Sequence, residues 1–217
     1  MALISFKWSL IFIKTSKTAG TSIETDLSQR LEDQAIVTPI IPPEPGHVAR
    51  NHLNENGEPT YVNHMSAVQI RDRLGVDRFN SMTRFCVERE PVEKCISHFH
   101  MLRNSAVHNP SGTYQHSWAD YVAEGKFPID LGRYSEPHGA QHVKLVTHIL
   151  RYDRLSQALP ELLENLGIPD FTLTARAKSG YSQNRLIAPD QVTADERARI
   201  YDAFQPSIET AGIDWAA

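Results

Sequence analysis

The chain has 217 residues, 41% of them hydrophobic and 22% charged, with a formal net charge of −4. That balance is globular, which excludes disorder as the ground state, and the length supports a full core without disulfide or metal staples. Slight acidity excludes a broad basic footprint for nucleic acid, so any anion site has to be local.

We expect one domain over residues 1–217. No apolar run approaches the roughly 20 residues of a membrane span. Lys7 and Lys14 interrupt the apolar start, and cleavage there would remove the opening strand, so no targeting segment is expected. Cys86 and Cys95 fit no zinc spacing and read as buried thiols of a reducing, cytoplasmic compartment.

In chain order, residues 5–15 read as the first strand. It breaks into a hydroxyl-rich, lysine-bearing turn, Ser16-Lys17-Thr18-Ala19-Gly20-Thr21-Ser22. Ile23, Leu27 and Leu31 then share one face of a helix running to about Gln34. Thr21 or Ser22 is expected to cap this helix, with Glu24 completing a Thr-x-x-Glu box. Strand, tight loop and helix start in that order turn backbone N–H groups and a positive dipole end toward an anion, so the segment reads as a phosphate cradle. It is not a Walker A loop, because Lys17 precedes Gly20 instead of following it.

A second strand is predicted over residues 35–41. Residues 42–59 carry four prolines and two glycines and read as a long loop of functional rather than connecting character. After a short extended piece at 61–64, Ser66 caps a helix with Val68, Ile70 and Leu74 inward and Gly75 as its stop. Residues 83–89 form a central-strand candidate. Pro91 suits the first turn of the helix that follows, in which Cys95, Phe99 and Leu102 recur at helical spacing. Residues 104–116 read as loop, Ser117 caps a short helix holding Trp118, Tyr121 and Val122, and 126–139 read as irregular. An extended segment at 145–152, an amphipathic helix at 155–166 closed by Gly167, and a terminal helix capped by Thr193 and Glu196 and reaching about Phe204 complete the chain. The alternation predicts an α/β fold with a central, mostly parallel sheet flanked by helices. Ligands of such folds sit at the carboxyl ends of strands, where Lys17 and Arg89 fall.

These residues carry a resemblance. Phe12-Ile13-Lys14-Thr15-Ser16-Lys17-Thr18-Ala19-Gly20-Thr21-Ser22 resembles the 5′-phosphosulfate loop of sulfotransferases, in particular the branch of carbohydrate sulfotransferases and their bacterial relatives. Phe85-Cys86-Val87-Glu88-Arg89-Glu90-Pro91, with Ser97 eight residues after Arg89, resembles the same family's 3′-phosphate motif. Residues 149–155 and 162–168 resemble its later strand and helix, so the likeness covers most of the chain. Relatives commonly carry proline where this chain has Ser16, and asparagine or aspartate where it has Glu90.

The resemblance implies a P-loop-like three-layer fold and sulfuryl transfer from 3′-phosphoadenosine 5′-phosphosulfate (PAPS) to a hydroxyl, less readily an amine, with 3′-phosphoadenosine 5′-phosphate as product and no metal. It makes Lys17 the cation at the leaving phosphate oxygen, where charge grows in the transition state. The N–H groups of Thr18, Ala19, Gly20, Thr21 and Ser22, with the Thr21 and Ser22 hydroxyls, would hold the 5′-phosphate. Arg89 and Ser97 would hold the 3′-phosphate, and Lys178 and Ser179 loosely match a final loop over it. His64 matches the placement of a catalytic histidine and is the candidate base; Glu44, Glu55 and Glu58 are the alternatives.

The acceptor is expected to be a small molecule or a carbohydrate or lipid hydroxyl, with residues 42–59 and 104–139, including Tyr114 and Trp118, around its pocket. Seven histidines lie from His98 to His148, of which His138 and His142 would chelate a metal only on a helix and with a third ligand. A nucleotide kinase, disfavoured by the lysine's position and by the lack of a magnesium aspartate after a strand, and a non-catalytic nucleotide-binding module are the competing classes. Oligomeric state is not legible.

Overall fold

The apolar N-terminal run folds not as one strand but as an antiparallel hairpin, β1 (Ala2–Ser5) and β2 (Leu10–Ile13). Its turn is closed from a distance: the Glu32 carboxylate accepts from the N–H groups of Phe6 at 2.7 Å and Lys7 at 3.1 Å, and from the Ser5 hydroxyl at 2.7 Å. The structure, a computed structural model, describes residues 2–177 and 185–215; Lys178 and Ser179 lie outside the described residues.

The remaining strands are β3 (Ile36–Val37), β4 (Thr83–Glu88), β5 (Ser135–His138), β6 (Gln141–Lys144) and β7 (His148–Arg151). The helices are α1 (Gly20–Ser28), α2 (Ala67–Leu74), α3 (Val76–Ser81), α4 (Pro91–Asn104), α5 (Trp118–Glu124), α6 (Leu131–Tyr134), α7 (Leu155–Asn165) and α8 (Ala194–Ala211). They group into two compact units, one of Met1–Glu88 with Asp130–Ala177 and one of Arg89–Ile129 with Lys178–Ala217.

The first unit holds a mixed five-stranded sheet in the order β3-β1-β2-β4-β7, in which β2, β4 and β7 run parallel and β1 is antiparallel to both neighbours. Side chains alternate across a strand, and β2 shows the consequence. Leu10 and Phe12 join one core with Ile23 and Leu27 of α1 and Leu159 and Leu163 of α7. Ile11 and Ile13 join another with Ile70, Phe79 and Tyr134. Burial on both faces is why this strand reads as an unbroken apolar run. Phe12 and Phe85 are register partners, and their rings stack at 4.8 Å.

Several boundaries differ from expectation for identifiable reasons. Helix α1 stops at Ser28 instead of about Gln34, and the Arg50 guanidinium donates to the carbonyls of Ser28 at 2.9 Å and Leu31 at 3.2 Å, satisfying acceptors that a helix end leaves open. The strand expected at 35–41 shrinks to β3, and residues 42–59 contain no helix or named strand. The stretch expected to be irregular at 126–139 contains α6 and β5, and β5 turns at Gly139, φ 62°, into β6. His138 and His142 therefore sit on a hairpin, not a helix. The extended segment expected at 145–152 contracts to β7. Predicted caps fared better: α2 begins on a Ser66–Gln69 box and stops at Gly75, φ 84°.

In the second unit Val92, Cys95, Phe99, Trp118, Tyr121, Ile200 and Phe204 pack together. Pro91 takes the first helical position of α4, and the Glu90 carboxylate caps it, accepting from Glu93 N–H at 2.7 Å. Helix α8 opens on the expected Thr193–Glu196 box but continues past Phe204 to Gly212, φ 66°. Both cysteines are buried, and neither is joined in a disulfide. No helix among the described residues is long and apolar enough to cross a membrane.

Candidate functional site

The loop between β2 and α1 is tied down at its base. The Thr15 hydroxyl donates to the Val87 carbonyl of β4, while the Thr18 hydroxyl lies 2.9 Å from Thr15 Oγ1 and 3.1 Å from the Thr15 carbonyl. Thr18 is fully buried, with its hydroxyl held inside the loop. Ser16 donates from its N–H at 2.7 Å and its hydroxyl at 3.1 Å to the two oxygens of Asp130, 114 positions away. Proline at that position lacks the first of these donors.

Above this base the backbone takes an unusual course. Lys17 at φ 61° and Ala19 at φ 60° are both left-handed, with Thr18 between them. Ala19 is the N-cap of α1 and has no side chain with which to cap it. The expected capping box is therefore wrong: Thr21 and Ser22 lie inside the helix, and Glu24 is engaged elsewhere. The first helical bond is Ile23 N–H to the Ala19 carbonyl at 3.0 Å, which leaves the N–H groups of Gly20, Thr21 and Ser22 ahead of it, without intrahelical acceptors. Left-handed residues alternating with others curl successive N–H groups around one concavity, and the helix dipole adds positive potential there.

Beneath the loop, Lys14 Nζ donates to Glu24 Oε2 at 2.9 Å and to Thr21 Oγ1 at 3.0 Å. Lys14 is 7% exposed and Glu24 fully buried. Burial raises the Glu24 pKa, and the Lys14 ammonium opposes it. The Ser22 hydroxyl accepts from Ala177 N–H at 3.1 Å, anchoring the chain immediately before Lys178.

The same network reaches His64. Asp130 lies 4.0 Å from the Arg133 guanidinium, and Arg133 donates to the His64 carbonyl. His64 is left-handed at φ 60°, not extended as expected for residues 61–64, and its buried Nδ1 has no hydrogen-bond partner. Burial, reinforced by nearby positive charge that includes the chain's amino terminus, Lys14 and Arg133 and is opposed by Asp130, pulls its pKa down to about 3. The imidazole is neutral at pH 7, the form that accepts a proton. The loop and His64 thus meet within one unit through Ser16, Asp130 and Arg133.

Arg89 and Ser97 belong to the second unit. Arg89 pairs with Glu93 at 3.2 Å, and Ser97 is half-buried about two turns into α4. The Glu90 carboxylate is occupied by its cap and by the Tyr201 hydroxyl at 2.8 Å. Trp118 is a core residue, 8% exposed and edge-on to Phe99 at 5.6 Å, rather than a pocket wall. Among the described residues no three His, Cys, Asp or Glu side chains are gathered to hold a metal.

Sequence reasoning missed Lys14, Asp130 and Arg133 and misassigned Glu24. Lys14 and Glu24 left a faint signal, a lysine closing an apolar strand and a glutamate among the buried positions of α1. Asp130 and Arg133 left none. Comparisons with protein-family models, curated proteins and solved structures returned no significant match.

Proposed function

We propose that the protein is a sulfotransferase that moves a sulfuryl group from PAPS to an acceptor hydroxyl. The observation that carries this reading is the course of residues 17–22: two left-handed residues, then three N–H groups at a helix start, with the lysine ahead of the glycine. A P-loop-like, three-layer arrangement is part of the same proposal, supported by the β2-loop-α1 order and the parallel pairing of β2, β4 and β7.

The donor supplies an S–O bond whose cleavage leaves charge on the bridging 5′-phosphate oxygen. Lys17 would meet that charge with its ammonium, an interaction that strengthens as transfer proceeds. The N–H groups of residues 18–22 and the hydroxyls of Thr21 and Ser22 would hold the phosphate. His64 would take the acceptor's proton on a neutral ring nitrogen. A bound anion would oppose the cationic part of the depression at His64, while the larger part, from burial, would stay. Glu44, Glu55 and Glu58 have no comparable link to the loop. The 3′-phosphate roles of Arg89, Ser97, Lys178 and Ser179, a small-molecule, carbohydrate or lipid acceptor, the absence of a metal and a cytoplasmic location rest on the motif resemblance and composition.

Calorimetry with 3′-phosphoadenosine 5′-phosphate against ATP tests the reading. We expect the 3′-phosphorylated nucleotide to bind tighter, and Arg89→Ala to lose that preference by about tenfold or more; preference for ATP would overturn the proposal in favour of a phosphotransferase. Mass spectrometry for the gain of one SO₃ group on an acceptor panel then separates an enzyme from a module that only binds nucleotide.

A further inference from the structure

A buried charge pair under the loop takes no part in the chemistry just described. Lys14 leaves the end of β2 and runs directly beneath the first turn of α1, so close that a Cβ on Gly20 would fall 2.6 Å from Lys14 Cγ and 2.9 Å from Cε. Only glycine leaves room for that stem. Its ammonium then contacts two oxygens, one on Glu24 and one on Thr21. Glu24 is fully buried, and its second oxygen, Oε1, has no partner.

A buried ion pair is a poor device for stability, since desolvation of both charges offsets their attraction. What this one does provide is direction. A threonine hydroxyl has one proton and two lone pairs, and an ammonium can only donate. Because Lys14 occupies a lone pair of Thr21 Oγ1, the Thr21 proton is left for a different acceptor. Glu24 keeps Lys14 in place and neutralises it, so the pair orients Thr21 without adding net charge beside Lys17.

We infer that Lys14 and Glu24 are positioning residues for the anion loop, holding Thr21 so that its hydroxyl donates to a phosphate oxygen bound at the start of α1. This rests on the phosphate-loop reading above.

The test is a coupling measurement. Lys14→Met alone would strand the Glu24 carboxylate and risks unfolding, so both members are replaced, as Lys14→Met/Glu24→Met, with melting curves confirming a folded chain. Binding of 3′-phosphoadenosine 5′-phosphate, ATP and inorganic pyrophosphate is measured for the wild type, this double variant, Thr21→Val and the triple variant. For the anion that the wild type binds best, Thr21→Val and the double variant are each expected to weaken binding about tenfold. The triple variant should be no weaker than about twofold below either, and Thr21→Ser should restore wild-type affinity. Losses that multiply to about a hundredfold in the triple variant, or a double variant that binds like the wild type, would overturn the inference while leaving the sulfotransferase reading standing. If ATP is the best ligand, the sulfotransferase reading falls and the cycle is scored with ATP. A wild type that binds none of the three overturns both.

Discussion

At Gly20 a methyl group would press on a lysine stem that cannot step aside without abandoning Glu24. Gly20→Ala should therefore destabilise the chain by about 1–3 kcal/mol in thermal unfolding, the usual range for overpacking a tight site. Ser16 offers a sharper case. Ser16→Pro deletes both bonds that Ser16 donates to a carboxylate only 4% exposed. We expect a loss of about 1–3 kcal/mol in denaturant unfolding, and an unchanged midpoint would show that Asp130 does not depend on these bonds. His64 gives a pH signature. Its folded pKa of about 3 lies below the ordinary 6.5, so between those values the unfolded chain binds the extra proton. Stability tied to the neutral ring is complete above about pH 6.5 and declines as pH falls toward 3, by up to about 1.4 kcal/mol per pH unit. His64→Gln should flatten that decline in urea titrations from about pH 7 to pH 4.

Local chemistry sets whole elements. Glu90 caps α4 and also accepts from Tyr201 of α8. Glu90→Ala should lower unfolding free energy by about 1–2 kcal/mol, the range for a lost cap, whereas Glu90→Asp should recover much of it. Elements whose signals lie within a few residues were legible in advance. Ser66, Pro91, Ser117 and Thr193 with Glu196 all open helices as expected. Elements closed by distant partners were not. The β1–β2 hairpin needs Glu32, and α1 ends where Arg50 collects its carbonyls. The β5–β6 hairpin is held through Arg71, which grips Glu136 with two bonds of 2.8 and 2.9 Å, from an element 65 positions away.

At the scale of the molecule, a ligand that binds only the folded chain must raise its stability. We expect 3′-phosphoadenosine 5′-phosphate at a hundredfold excess over its Kd to add about 2.7 kcal/mol, visible as a rise in melting temperature that Lys17→Ala reduces. An equal rise with Lys17→Ala would remove that lysine from the site. The amino-acid sequence by itself determined the α/β alternation, most helix starts and the tight turn bearing Lys17 between a strand and a helix, because each is written in neighbours along the chain. Only the tertiary structure decided that β1 runs antiparallel, that Lys14 serves Glu24 and Thr21, and that Asp130 and Arg133 join the loop to His64. Those pairings form between residues far apart in sequence, where burial removes water as the competing partner and geometry alone chooses who meets whom.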